Sequence, residues 1–140
     1  MPDENVDAVR RFLDAFNAHD VRALLACSAA EIELHSRFAT IGGADYHGPD
    51  GVRRWYHDLA EEWGEPRVEI EAIYEVDSDL LLYTVLHGRG RESGSEAALP
   101  GALVMKARDG LVFYFKAFAH REDALAELGV SEDALGPSLA

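Results

Sequence analysis

The chain is short of cysteine, of positive charge and of long apolar runs, and each shortage closes off a class of protein. Cys27 is the only cysteine in 140 residues, so no disulfide can form within the chain and a cysteine-built zinc site is excluded. Lysine and arginine number 13 against 26 aspartates and glutamates, a formal net charge of −13. Phosphate binding needs a basic face, and no run of Lys or Arg provides one, so no nucleic-acid partner is expected. The same acidity disfavours an anionic membrane surface. No stretch approaches the roughly 20 apolar residues of a membrane span. The opening Met1-Pro2-Asp3-Glu4-Asn5 is acidic and polar, the wrong start for a signal peptide. The expectation is a cytoplasmic single domain over residues 1–129, long enough to bury its own core, with residues 130–140 as a loose C-terminal tail.

What is present is strong periodicity. Val6, Val9, Phe12, Leu13 and Phe16 recur at helical spacing and predict a helix from about Glu4 to Ala18, with Asp3 as its cap and Asn17 and His19 at its end. Asp20 reads as the cap of a second, short helix burying Val21, Leu24 and Leu25. From Glu31 to Phe38 the period changes to two, with Ile32 and Leu34 alternating against Glu33 and His35, a half-buried strand. Gly42-Gly43 opens a loop. Gly48-Pro49-Asp50 then starts a third helix, because proline in a first turn gives up an N–H that has no partner there. Val52, Trp55, Tyr56, Leu59 and Trp63 give this helix an inner face of large side chains, and Gly64 and Pro66 stop it.

The rest reads as β. Val68, Ile70, Ala72, Tyr74 and Val76 alternate against Arg67, Glu69, Glu71 and Glu75. Leu80 to Arg91 forms a long strand, Glu92–Ala98 a loop, and Leu99–Arg108 pairs with Leu111–His120 across Asp109-Gly110, a strong hairpin signal. A short helix, Arg121–Leu128, closes at Gly129. Helices followed by a meander predict an α+β domain, a curved antiparallel sheet wrapped around three helices of the N-terminal half, with an internal pocket where large aromatics line the cone.

Three stretches carry a family resemblance: Val9-Arg10-Arg11-Phe12-Leu13-Asp14-Ala15-Phe16-Asn17-Ala18-His19-Asp20, Tyr46-His47-Gly48-Pro49-Asp50-Gly51-Val52, and Val104-Met105-Lys106-Ala107-Arg108-Asp109-Gly110. In their order and spacing, over about residues 4–129, the chain resembles the nuclear transport factor two-like superfamily, in its SnoaL-like polyketide cyclase and ketosteroid isomerase branch. The resemblance implies a cystatin-like cone with an internal pocket. It also implies a dimer. Steroid isomerases of this fold use a tyrosine on the first helix, a carboxylate base at the end of the first strand and a buried protonated carboxyl on a later strand. Aligned through Asp20, His47-Gly48 and Val104-Met105, those positions fall on Phe12, Ser36 and Leu103, none of which can move a proton, so standard ketosteroid isomerase chemistry is not expected. The cyclases use an acid on a late strand, whereas residues 113–120 offer Tyr114, Lys116 and His120 and no Asp or Glu.

The candidate chemistry is therefore Tyr56 polarising a carbonyl and His35 moving the proton. Strict alternation puts His35 on the face away from Ile32, Leu34 and Ser36, and a bulge near Ser36 would turn it inward. The substrate-binding set is Phe12, Phe16, Ser36, Trp55, Leu59, Trp63, Leu103, Met105, Phe113 and Phe115. Along Leu80–Arg91 either Tyr83, Val85, His87 and Arg89 or Leu82, Thr84 and Leu86 face the pocket, and the apolar set fits the pattern better. Six histidines show no helical zinc-pair spacing, so neither a metal nor another cofactor is expected. Tyr114, Lys116, Phe118 and His120 oppose Phe113, Phe115, Ala117 and Ala119, which leaves an aromatic outer face in need of a cover and points to a homodimer through it. The functional expectation is a small-molecule protein with a mainly apolar pocket, a cofactor-independent isomerase, cyclase or hydratase acting on a hydrophobic substrate. The alternatives are a non-catalytic binder and a protein-interaction dimer module.

Overall fold

A computed structural model describes residues 2–36, 45–90 and 94–140, except for the side chains of residues 2 and 3. The expected Gly42-Gly43 loop, the end of the first strand at Phe38 and the residues Arg91 and Glu92 lie outside the described residues. The elements are α1 (Pro2–Asn17), α2 (Val21–Ala26), β1 (Ser28–His35), β2 (Asp45–His47), α3 (Gly48–Trp63), β3 (Arg67–Val76), β4 (Asp79–Arg89), β5 (Glu96–Arg108), β6 (Leu111–Phe118) and α4 (Arg121–Leu128). Helix α1 begins before Asp3, which therefore sits in its first turn instead of capping it. The helix ends where His19 takes a left-handed φ of 57° and the amides of His19 and Asp20 bond back to the carbonyls of Phe16 and Ala15. Asp20 caps α2 by accepting from the Ala23 amide at 3.0 Å.

The six strands form one curled, open sheet in the order β2-β1-β6-β5-β4-β3. It is antiparallel except at β1–β6, which run parallel with Leu34 beside Phe115. The expected curved antiparallel sheet is present, with this one parallel pair added to it. Such a pair joins the first strand to the last, and sequence adjacency gives no hint of it. The hairpin at Asp109-Gly110 has both residues at positive φ, 56° and 79°, the two-residue turn that matches strand twist. Strand β2 was not anticipated, because three residues are too few to show a period.

Two bulges reset which side chains face inward. In β3 the register slips between Ile70 and Ala72, so Val68 and Ile70 pack inside, Ala72 and Tyr74 outside, and Ile73 returns to the inner core. In β6 the slip against Lys106/Ala107 leaves Phe113 as an extra residue; Val112 and Phe115 take the inner positions, while Phe113 lies under the Arg108 guanidinium at 4.6 Å. A single inserted residue reverses parity beyond it.

The inner face of the sheet packs on α1, α2 and α3 around Phe12, Phe16, Ile32, Leu34, Trp55 and Leu82. The outer face is covered by the chain itself. Ala124 and Leu125 of α4, with Leu128, Val130 and Leu135, pack on Ala72, Leu81, Tyr83 and Val104. The last eleven residues, expected to be loose, are tied down. Leu139 donates its amide to the Ile73 carbonyl at 2.7 Å, Ser138 Oγ accepts from the Ile73 amide, and the Leu139 carbonyl accepts from Arg10 on α1. Among the described residues the one exposed large apolar side chain is Leu139, at 44%. Part of the cover that a second subunit was expected to supply is thus intramolecular.

The end of helix α3 lies close against strand β4 at Gly88, where a Cβ would lie 2.6 Å from the Trp63 carbonyl oxygen. Gly88→Ala should therefore push the end of α3 off the sheet and cost about 1–3 kcal/mol, read as a lowered melting temperature. An unchanged melting curve would mean that α3 does not rest on β4 there.

Candidate functional site

The site is built where the curl of the sheet holds the helices off its inner face. Phe16 and Trp55 approach to 5.4 Å between ring centroids, and Trp55 meets Phe115 edge-on at 5.0 Å. Helical spacing puts Leu13 and Phe16 on one side of the gap and Trp55 and Leu59 on another. Ser36 follows β1, Phe115 and Ala117 come from β6, Leu103 and Leu99 from β5, and Thr84 and Leu86 from β4. Val68 of β3, with Gly101, Ala102 and Phe118, completes the wall. The cavity volume is about 40 Å³. That is room for about three waters, against about 150 Å³ for a cavity known to take benzene.

Six of the expected binding residues meet in this cavity: Phe16, Ser36, Trp55, Leu59, Leu103 and Phe115. Phe12 and Met105 are fully buried in the core behind it. Trp63 packs at the core's edge over Gly88, and Phe113 sits at its bulge under Arg108. Leu82, Thr84 and Leu86 face inward, as the apolar alternative for β4 required. Leu13 and Val68 also line the cavity and were not singled out as pocket residues from the sequence. Their signal was available in the same periodicity, but it marks an inner face without saying where that face stops touching the helices.

Neither expected proton-handling residue lines the cavity. The Tyr56 hydroxyl shares a 2.6 Å hydrogen bond with His19 Nδ1, while its ring packs edge-on against Phe16. Burial, and then the nearby Glu65, raises the Tyr56 pKa above its ordinary value. His35 is on the outer face of the sheet, as strict alternation had it. Its Nδ1–H donates to Asp45 Oδ1 at 2.7 Å, and its ring lies 5.4 Å from Tyr114. The hydrogen bond from His35 holds the Asp45 carboxyl below the usual range. Among the described residues, the cavity wall carries no ionisable side chain. Its polar groups are the hydroxyls of Ser36 and Thr84, whose residues are 7% and 6% exposed.

The ionisable groups gather elsewhere. On the inner layer Tyr46 donates to Asp58 at 2.7 Å, and burial plus that acceptor push its pKa up to about 12. At the end of β4 a polar cleft of about 210 Å³ is lined by Arg67, His87, Arg89, Glu65 and Glu96. There His87 bonds Glu69 at 2.8 Å and Arg89 faces Glu96 at 3.7 Å. On the outer face Glu127 of α4 accepts from Tyr114 at 2.9 Å and from Lys116 at 2.7 Å. Burial and then the Glu127 acceptor raise the Tyr114 pKa strongly. No group of three or more His, Cys, Asp or Glu among the described residues could hold a metal ion. No described helix is long and apolar enough to cross a membrane.

The sequence profile of the SnoaL-like domain matches residues 9–115. Among curated proteins none matches the sequence. Solved structures match the fold closely at low identity. A Catenulispora acidiphila protein with a ketosteroid isomerase-like fold, in complex with trimethylamine, is 18% identical, with a TM-score of 0.72 over 91% of this chain and 95% of its own. A Mycobacterium tuberculosis protein in complex with estradiol-17β-hemisuccinate is 15% identical, with a TM-score of 0.71 over 85% and 95%. A putative SnoaL-like polyketide cyclase from Jannaschia sp. CCS1 is 16% identical, with a TM-score of 0.69 over 82% and 84%.

The Glu127 contacts generate a pH prediction. Burial alone would raise the Glu127 pKa, but the hydrogen bonds from Lys116 and Tyr114 outweigh it and pull it below the ordinary 4.5. A depressed carboxylate stabilises the fold above its unfolded pKa and loses that contribution as pH falls through the folded value. Glu127→Gln should therefore cost about 0.5–1 kcal/mol at pH 7. The gap between its melting temperature and that of the parent should close as the pH is lowered from about 4.5. A gap that persists at low pH would assign the loss to packing of α4 instead of charge.

Proposed function

The chain belongs to the SnoaL-like domain family, and from that premise we propose that it binds a compact, flat, apolar molecule bearing hydrogen-bonding oxygen, and holds that molecule without converting it. The carrying observation is the wall itself, apolar and aromatic, with Ser36 and Thr84 as its polar groups and no acid or base among the described lining residues. Ser36 lies beyond β1 and Thr84 on β4, with β6 and β5 between them in the sheet, so the two hydroxyls approach a ligand from separate walls. Rings stack or meet edge-on with Phe16, Trp55 and Phe115, which supplies affinity without directional bonds. A hydroxyl can orient a carbonyl or alcohol but is too weak an acid or base to move a proton at neutral pH. Isomerase, cyclase and hydratase chemistry all require such a move. Two of the solved relatives hold small organic molecules, one of them a steroid ester, which supports a ligand-holding role for the same cone. A protein-interaction module would instead present an exposed apolar patch, and the single exposed large apolar residue among those described does not make one.

A ligand with rings enters such a narrow cavity by parting its walls. Thermal shift against ring-bearing apolar compounds is the first test, since a ligand at a hundred times its dissociation constant stabilises the fold by about 2.7 kcal/mol. Ser36→Ala and Thr84→Val should each weaken an oxygen-bearing hit about fivefold and leave its hydrocarbon analogue unchanged. Ala117→Leu, which fills the cavity, should abolish both. A hit that survives Ala117→Leu binds elsewhere, and turnover of a hit by the parent protein would overturn the holding role.

A further inference from the structure

Among the described residues the sheet order leaves β3 at an edge, so outward-pointing backbone groups of this strand have no described neighbouring strand to pair with. At Val68 the vacancy is filled by one side chain from another layer. Asn17, the last residue of α1, accepts from the Val68 amide at 2.7 Å through Oδ1 and donates from Nδ2 to the Val68 carbonyl at 2.9 Å. A carboxamide carries the donor and acceptor of a peptide group, so it bonds the edge as a strand would. Val68 lines the apolar cavity, and so does Phe16, the residue before Asn17. A second tie between the same two elements lies further along β3, where Leu139 bonds Ile73 through its amide and Arg10 through its carbonyl. That tie involves no cavity residue.

We infer that Asn17 sets the width of the ligand cavity, and with it the size of ring the protein accepts, by fixing α1 against the edge of β3; the inference rests on the ligand-holding reading above. Both bonds of the pair must be met at once, which restrains the spacing between Phe16 and Val68 more tightly than apolar packing does. The length of the side chain at position 17 is then the length of the spacer. Asn17→Gln retains both hydrogen-bonding atoms on a stem one methylene longer, and so widens the gap while keeping the tie. Asn17→Ala removes the tie and leaves both Val68 groups to water.

The test compares phenol and 2-naphthol as probes of one and two rings, titrated by NMR into the parent chain, Asn17→Gln and Asn17→Ala, with thermal melts of all three. The expected result is a shift of at least about fivefold in the affinity ratio towards 2-naphthol in Asn17→Gln, about 1 kcal/mol of selectivity. Asn17→Ala should melt lower than Asn17→Gln and discriminate less between the probes than the parent. A purely structural role for Asn17 would move both affinities by the same factor in each variant, and that result overturns the inference while leaving the ligand-holding role standing. Failure of both probes to bind any of the three proteins would count against the ligand-holding role itself. In that case a crystal structure of Asn17→Gln decides the matter, because an unchanged Phe16–Val68 separation overturns the inference and an increased one upholds it as a statement about cavity width.

Discussion

The arrangement of the molecule depends on a wedge of three rings. Phe16, Trp55 and Phe115 come from α1, α3 and β6, and their centroids lie 5.4 and 5.0 Å apart across the gap between helices and sheet. A curled sheet and two helices of smaller side chains would close on each other and fill the cone. Rings of this size, backed by the fully buried Phe12, hold the layers at a separation set by aromatic contact distances. The void that results is narrow because the sheet still curls as far as the rings allow. Leu80, Leu82, Met105 and Ile73 are fully buried in the same core.

The polar chemistry of the chain follows from the same separation of layers. With the inner face reserved for apolar side chains, ionisable residues on the strands must alternate outward, and they find partners there. His35 pairs with Asp45, and Glu127 gathers Tyr114 and Lys116, each across neighbouring elements of the outer face. The Glu127 contacts help α4 cover an aromatic part of that face. The cover explains how both sides of β6 carry rings in a single-sheet domain. One side holds the wedge; the other lies in the layer that α4 overlaps.

Much of this was legible in residue order, and the failures have a common cause. The helices were readable because one apolar face repeats over several turns in α1 and α3, and the Asp109-Gly110 turn because its backbone demands positive φ. The inner set of β4 was readable from alternation alone. Parity failed in β3 and β6, where one extra residue at Glu71 and at Phe113 turns the remainder of the strand over. A bulge is specified by pairing between strands distant in sequence, so it leaves no local mark. The parallel β1–β6 pair is distant in the same sense. Residues 130–140 look polar enough to be loose, but their ties are backbone and hydroxyl bonds to Ile73, which composition does not record. For the site, the aromatic face named Phe16, Trp55 and Phe115, which line the cavity, whereas Tyr56, placed beside them by helical spacing, turns its hydroxyl to His19.

The distance between this wall and a catalytic one is small in sequence and large in chemistry. In the alignment that the resemblance implies, Ser36, Phe12 and Leu103 fall at the isomerases' proton-handling positions, and Phe12 and Leu103 pack in the core. Phe12 keeps the ring that backs the wedge, with its centroid 6.2 Å from that of Trp55, and loses only the capacity to donate. Leu103 closes the wall where a carboxyl would need to be held neutral at a cost in desolvation. Ser36 retains a hydrogen-bonding oxygen without a charge. Under the ligand-holding reading, selectivity comes from the shape of the cavity and from the hydroxyls of Ser36 and Thr84. Under that reading the spacing between α1 and the edge of β3 matters more than any pKa, and at the cavity it is the Asn17 carboxamide that joins the two.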